Sequence, residues 1–203
     1  QLDSRYTFAN YIEGDCNRLA RSAGEAIAKK PGTTSFNPLI IFGDTGLGKT
    51  HLAHAIGNAI KEKHPNKSVL YVSSDKFTNQ IIDSIRSNTI NDFVNFYQML
   101  DVLIVDDIQF LQNKQKTQEI FFHIFNQLHQ NKKQLVLTSD KPPKDLSGMQ
   151  ERLISRFKWG LSADLQKPEL ETRMAILMHK IEDEGIEVSK EVIEFISYNI
   201  NNN

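Results

Sequence analysis

The chain has 203 residues, 24 basic and 25 acidic side chains for a formal net charge of −1, and a single cysteine, Cys16. That length holds one α/β core with a small appendage and excludes two large domains, while 39% hydrophobic and 24% charged residues exclude a disordered or fibrous chain. The near-neutral balance lacks the strongly basic footprint of a duplex-binding domain, so any nucleic-acid contact has to be local.

A lone thiol rules out an internal disulfide and a multi-thiolate metal site, and it agrees with a reducing compartment; Cys16 reads as a packing residue. No apolar run approaches the roughly 20 residues needed to span a bilayer. The start QLDSRYTFAN lacks the basic then apolar plan of a signal peptide. A cytoplasmic location is expected.

Residues 39 to 42, LIIF, form an apolar run that leads directly into a glycine-rich stretch. From 49 to 63, Leu52, Ala53, Ile56 and Ile60 recur at helical spacing, which predicts strand, loop and helix. After the polar break HPNKS, VLYV at 69 to 72 predicts a second strand, followed by helical stretches around 77 to 85 and 93 to 100. VLIV at 102 to 105 reads as a buried strand ending at Asp106 and Asp107. Between 117 and 130, Ile120, Phe121, Ile124, Phe125 and Leu128 share a helix face, and QLVLTSD at 134 to 140 supplies a fourth strand. Pro142 and Pro143 mark a loop, and WGLSA at 159 to 163 supplies one strand more. Such alternation implies a parallel five-stranded sheet flanked by helices.

From Pro168 the pattern changes: proline at a first helical position, a helix to about 184 stopped by Gly185, then a second helix after Ser189. The expected division is an α/β nucleotide-binding domain over 1–164 and a partial helical lid over 165–203. No internal repeat is evident, and the terminal NINNN looks like a chain cut rather than finished.

The stretch GDTGLGKTH, 43 to 51, matches G-x-x-x-x-G-K-[ST] in full, after a strand and before a helix, where phosphate binding requires it. Gly43, Gly46 and Gly48 permit turns closed to other residues, aiming N–H groups at phosphate oxygens at a helix N-terminus. Lys49 adds a positive charge for the terminal phosphates of ATP or ADP, Thr50 offers a hydroxyl to Mg²⁺, and His51 closes the set. The competing reading is a glycine-rich turn that binds nothing.

VLIVDD sets two carboxylates at a strand end about 60 residues later, where open α/β sheets place their chemistry. Asp106 is assigned to Mg²⁺, and Asp107 to orienting or deprotonating the water that attacks the γ-phosphate. The competing reading, weakened by the loop upstream, is that Asp107 merely caps the segment that follows. Thr138, Ser139 and Asp140 end the next strand with polar groups near the same phosphate; a turn signal before KPP explains them nearly as well.

In this order these elements resemble the AAA+ P-loop ATPases. More closely, YTFANYIEGDCNRLA, VDDIQFLQNKQKTQEIFFHIFNQLH, LTSDKPPKDL, RLISRFKWGL and PELETRMAIL are similar to the nucleotide-binding core of the DnaA family of bacterial chromosomal replication initiators. The resemblance spans nearly the whole chain. It implies an ATP-binding, slowly hydrolysing switch that assembles with itself in a right-handed helical filament on origin DNA. Asn10, Tyr11 and Ile12 match the segment beside the adenine. Arg156 matches the arginine finger that reaches a neighbour's ATP, and Arg152 a second arginine implicated in assembly; from spacing alone the two form a solvated helix face. Ile82 and Lys116 match positions that contact single-stranded DNA, although by residue type they read as core and surface respectively.

The family's lid arginine, duplex-binding module and N-terminal partner domain have no counterpart in the 203 residues. Replicative helicase and regulators are expected as partners of a full-length protein. Three other readings share the loop. A DnaC-like helicase loader fits SRFKWGL and YTFANYIEGDCN less well. A P-loop kinase would need a substrate lid that is not evident, and an inert binder is allowed because Asp107 is shorter than the glutamate of many AAA+ motors.

Overall fold

The apolar runs form five strands, β1 (Leu39–Phe42), β2 (Val69–Ser73), β3 (Val102–Asp106), β4 (Gln134–Ser139) and β5 (Leu161–Asp164), in a computed structural model that describes residues 1–200. Asn201, Asn202 and Asn203 of the terminal asparagine run lie outside the described residues. All pairings are parallel, in the order β2-β3-β4-β1-β5. A parallel sheet covered on both faces needs strands that are apolar throughout, and β3 and β4 are buried at every position, whereas edge strand β2 is mostly half-buried.

Successive strand residues face opposite sides and feed two cores. Leu39, Ile41, Val102, Ile104 and Val136 pack under α1 (Arg18–Lys29) and α2 (Lys49–Lys63). Ile40, Leu103, Val105, Leu135 and Leu137 pack under α3 (Ser74–Arg86), α4 (Ile90–Gln98), α5 (Gln115–Gln130) and α6 (Glu151–Phe157). This second core is rich in aromatic rings: Phe77, Phe121, Phe125 and Phe157 are all fully buried. Ile124 lies beside them on α5 with no exposed surface. Ile124→Val is expected to cost about 1 kcal/mol and to lower the melting temperature by roughly 2–4 °C, read by thermal denaturation.

Several boundaries differ from the sequence reading. The fifth strand begins at Leu161 rather than Trp159, because Trp159 turns out to α5 and Gly160 presses on the Pro38 carbonyl, which a Cβ there would meet at 1.9 Å. The fourth strand stops at Ser139, one residue short of Asp140. Helix α4 ends at Gln98 rather than 100. Pro168 is not at a first helical position: α7 (Leu170–Asp183) has Glu169 at its N-cap position, and the Pro168 carbonyl accepts from Arg173 Nη1 at 2.8 Å. Helix α1, built on Ala20, Ala23, Ile27 and Ala28, has no counterpart in that reading.

Gly185 does stop α7. At φ +65° it lets its own N–H bond the Glu182 carbonyl and the Ile186 N–H bond the Ile181 carbonyl, the paired closure of a left-handed helix end. α8 (Lys190–Asn199) then folds back on α7, behind Ser189 as its N-cap.

Candidate nucleotide site

The order β2-β3-β4-β1-β5 brings the carboxyl ends of β1, β3 and β4 together, with Phe42 level with Ser139 and Val105 level with Leu137. The glycine loop leaves β1 at this edge and enters α2. Gly43, Gly46 and Gly48 have φ of +151°, +84° and +90°. Gly48 carries a second constraint, because a Cβ there would lie 3.1 Å from the Tyr11 ring. The Gly43 N–H bonds the Ser139 carbonyl at 3.3 Å, tying loop to sheet. Lys49 opens α2 and is buried, its Nζ donating to the carbonyls of Gly43 at 2.7 Å and Asp44 at 2.8 Å. No acidic residue lies in the first turn of α2, so nothing on the helix competes with an anion for its N-terminal N–H groups.

Thr50 Oγ1 donates to Asp106 Oδ2 at 2.9 Å across 56 residues of sequence. Asp106, 4% exposed, also accepts from Tyr71 Oη on Oδ2 at 2.5 Å and from the Thr138 hydroxyl on Oδ1. Burial, with the Asp106 carboxylate beside it, pushes the Tyr71 phenol up, so this group remains a donor. Asp107 adopts a left-handed conformation, φ +59°, that turns it out of the strand line. Its N–H donates to Thr138 Oγ1 at 2.8 Å, and its Oδ1 accepts from Gln109 Nε2 at 3.0 Å. The side chain makes no capping bond to the short 3-10 helix Ile108–Leu111 that follows, which removes the capping alternative.

Thr138 thus fixes the Asp106 carboxylate and the Asp107 backbone, and Gln109 links Asp107 to the third candidate: Gln109 Oε1 accepts from the Asp140 N–H at 3.3 Å. Asp140 Oδ1 is buried and has no hydrogen-bond partner among the described residues. A buried carboxylate oxygen in that condition is an acceptor without a protein donor.

The N-terminal arm reaches the same corner. Asn10 Oδ1 accepts from the Thr7 N–H and hydroxyl, both at 2.9 Å, and from His51 Nε2 at 3.0 Å; Asn10 Nδ2 donates to the Arg5 carbonyl at 2.6 Å. Its polar atoms therefore hold the arm's turn. Tyr11 is buried against Gly48, with its ring 5.1 Å from that of His51. Burial pushes the Tyr11 phenol up and the His51 imidazole down. Ile12 is half-buried, and its carbonyl accepts from Asn17.

The structure keeps the remaining candidates apart from the loop. Arg156 on α6 donates from Nε to Asn126 Oδ1 at 2.8 Å, with its guanidinium 4.1 Å from the centre of the Trp159 ring and 5.4 Å from that of Phe122. Arg152 donates from Nε to Gln150 Oε1 at 2.7 Å, with its guanidinium 4.5 Å from the centre of the Phe122 ring. Among the described residues neither arginine pairs with a carboxylate. Two guanidinium groups held by rings and amides, with their charge left uncompensated, suit an anion from outside the chain. Ile82 is 39% exposed on α3, and Lys116 is exposed at the start of α5. Residue type suggested a core position for Ile82; the face it occupies is instead the outer one, while its neighbour Ile81 is buried.

Tyr71, Gln109, Asn126 and Trp159 were not among the sequence candidates. Tyr71 alone had a signal, as the polar-tipped residue in the strand next to the carboxylates.

Residues 2–164 match the family model described as the bacterial DnaA ATPase domain. The chromosomal replication initiator protein DnaA of Flavobacterium psychrophilum is 59% identical over 203 residues, which is 100% of this chain and 42% of that protein. The chain thus spans about two fifths of the length of the curated relatives it matches. Domain III of the Thermotoga maritima replication initiation protein superposes with a TM-score of 0.96 at 42% identity, covering 100% of this chain and 84% of that one. A replication initiator DnaA solved with AMPPCP and single-stranded DNA gives 0.92 at 39% identity, covering 99% and 62%. The DnaC helicase loader reaches 0.70 at 18% identity over 80% of this chain and 98% of that one, a likeness of fold alone.

Proposed function

The chain belongs to the bacterial DnaA ATPase domain family, and from that premise we propose that it is the nucleotide-controlled core of a cytoplasmic replication initiator. It binds ATP, hydrolyses it slowly to ADP and phosphate, and in the ATP state assembles with itself on origin DNA to melt the duplex. The observation that carries this reading is the 2.9 Å bond from Thr50 to Asp106 at the mouth of a glycine loop whose lysine opens the helix.

That pair also fits Mg²⁺, a hard cation that takes oxygen ligands and is commonly held by one or two side chains beside substrate phosphates. Thr50 and Asp106 would hold it, and bound there it supplies neutralising charge to the phosphate oxygens. Lys49 and the N–H groups of the loop bind the phosphates. Asp107, turned out of the strand and oriented by Gln109, positions the attacking water and accepts its proton. Asp140, with one oxygen unpartnered, responds to the γ-phosphate from the end of β4. Tyr11 and Ile12, with Asn10 and His51 holding the turn, flank the base.

Arg156 and Arg152 act on the nucleotide of a neighbouring subunit, and the lack of a carboxylate partner for either among the described residues supports this role. The single-stranded DNA carried with AMPPCP in a solved DnaA supports contacts through exposed Ile82 and Lys116. A division at residue 164, where β5 ends, would leave α7 and α8 as part of a helical lid. Helicase and regulators would engage the longer protein.

Phosphate release separates a switch from an inert binder. Asp107→Asn is expected to slow release about a hundredfold, with ATP affinity within about threefold of the parent. Equal release rates would remove the catalytic role of Asp107.

A further inference from the structure

Asp106 is held by more than the residues of the nucleotide loop. Its Oδ2 accepts from both Thr50 and Tyr71, and its Oδ1 from Thr138. Tyr71 lies on β2 two residues before Ser73, which is level with Asp106, so its side chain projects from the same face of the sheet as the carboxylate. If the Thr50 oxygen turns to a cation, Tyr71 and Thr138 are the donors left to fix the carboxylate, one on each oxygen.

Behind Tyr71 stands His54, 5% exposed and one helical turn beyond Thr50, with ring centres 3.8 Å apart and planes 29° from parallel. His54 Nδ1 accepts from the Asp3 N–H at 3.1 Å, and its ring stacks on Tyr6 at 5.4 Å. One turn further, Asn58 Nδ2 donates to the carbonyls of Asp3 and Tyr6, each at 2.8 Å. Residues four apart share a helix face. Thr50, His54 and Asn58 therefore make one stripe on α2 that bonds the carboxylate at one end and the arm at the other.

We propose that Tyr71 is a positioning residue for the Mg²⁺-binding carboxylate, braced by His54 and, through His54, by the N-terminal arm at Asp3 and Tyr6. The inference rests on the reading of Asp106 as a magnesium ligand. It makes the order of the arm a determinant of how well the site binds Mg²⁺ with nucleotide.

The test is binding of fluorescent ADP over a Mg²⁺ titration, with EDTA as the metal-free point. Tyr71→Phe keeps the ring on His54 and removes the hydroxyl. The Mg²⁺ needed for half-maximal enhancement of binding should rise about tenfold, the scale of one hydrogen bond to a charged group, with metal-free affinity close to the parent and the melting temperature lower by only a few degrees. His54→Phe keeps the stack but loses the Asp3 bond, and should raise the requirement by less, in the same direction. An unchanged requirement in Tyr71→Phe, while Asp106→Asn shifts it, overturns the positioning role and leaves the reading of Asp106 standing. An unchanged requirement in Asp106→Asn overturns both. A shift in Tyr71→Phe with none in His54→Phe removes the arm from the proposal.

Discussion

Lys49→Ala is expected to lower affinity for ATP and ADP about a thousandfold, the largest effect of any single substitution on nucleotide binding. The ammonium sits at the first residue of α2 with no acidic neighbour in the first turn, and its two bonds go to carbonyls of the loop itself. Hydrogen bonds from an ammonium to phosphate oxygens are worth roughly 1.5–3 kcal/mol each. Losing two of them removes about 4 kcal/mol, close to three decades of affinity. The Gly43 and Asp44 carbonyls also lose their donor, so the loop should loosen; Lys49→Met, which keeps the apolar stem, separates loss of charge from loss of packing. Calorimetric titration with ADP reads the effect directly. Affinity within tenfold of the parent for both variants would remove the phosphate-binding role of Lys49.

The phosphate loop was legible because its chemistry is local. Spacing, a preceding apolar strand and a following helix are all contained within about fifteen residues, and the φ values of its three glycines follow from the turns a phosphate cradle needs. The strands were legible for a related reason, since a parallel sheet covered on both faces demands continuous apolar runs such as VLIV and QLVL. What periodicity does not carry is which polar groups meet. Thr50 finds Asp106 across 56 residues, and Tyr71 joins them from the neighbouring strand β2, pairings set by strand order and register rather than by any local pattern.

Two misreadings share a cause. Pro168 fits the first position of a helix by residue type, but its carbonyl is taken by Arg173 and the helix waits for Leu170. Trp159 fits a strand by propensity, but its ring goes to His129 and the Arg156 guanidinium. In both places a specific side-chain partner outweighs a local preference. The arginines show the converse. Four apart on α6, they read from spacing as a solvated face, and only the structure reveals that both lie over Phe122 with no carboxylate partner among the described residues.

Arg156→Ala is expected to abolish ATP-dependent assembly while leaving each subunit folded and able to bind nucleotide. Among the described residues the Arg156 side chain makes one hydrogen bond, to Asn126, and stacks on Trp159 and Phe122. Those contacts are half-exposed and together contribute on the order of 1 kcal/mol, so the melting temperature should fall by only a few degrees. Across an interface the same guanidinium would meet a γ-phosphate, where a trans-acting arginine is worth about three to five decades in rate and a comparable preference for ATP over ADP is available to assembly. Arg156→Lys should recover little, because an ammonium keeps the charge but loses the planar fork and the stacking on Trp159. Sedimentation velocity with ATP, with ADP and with a single-stranded oligonucleotide distinguishes the cases. Trp159, the only tryptophan, gives a second signal, since its emission depends on the guanidinium that faces it. Large species in ATP and DNA that appear only with Arg156 intact support the trans role; equal profiles for Arg156→Ala and the parent would reduce this arginine to a packing element of α5 and α6.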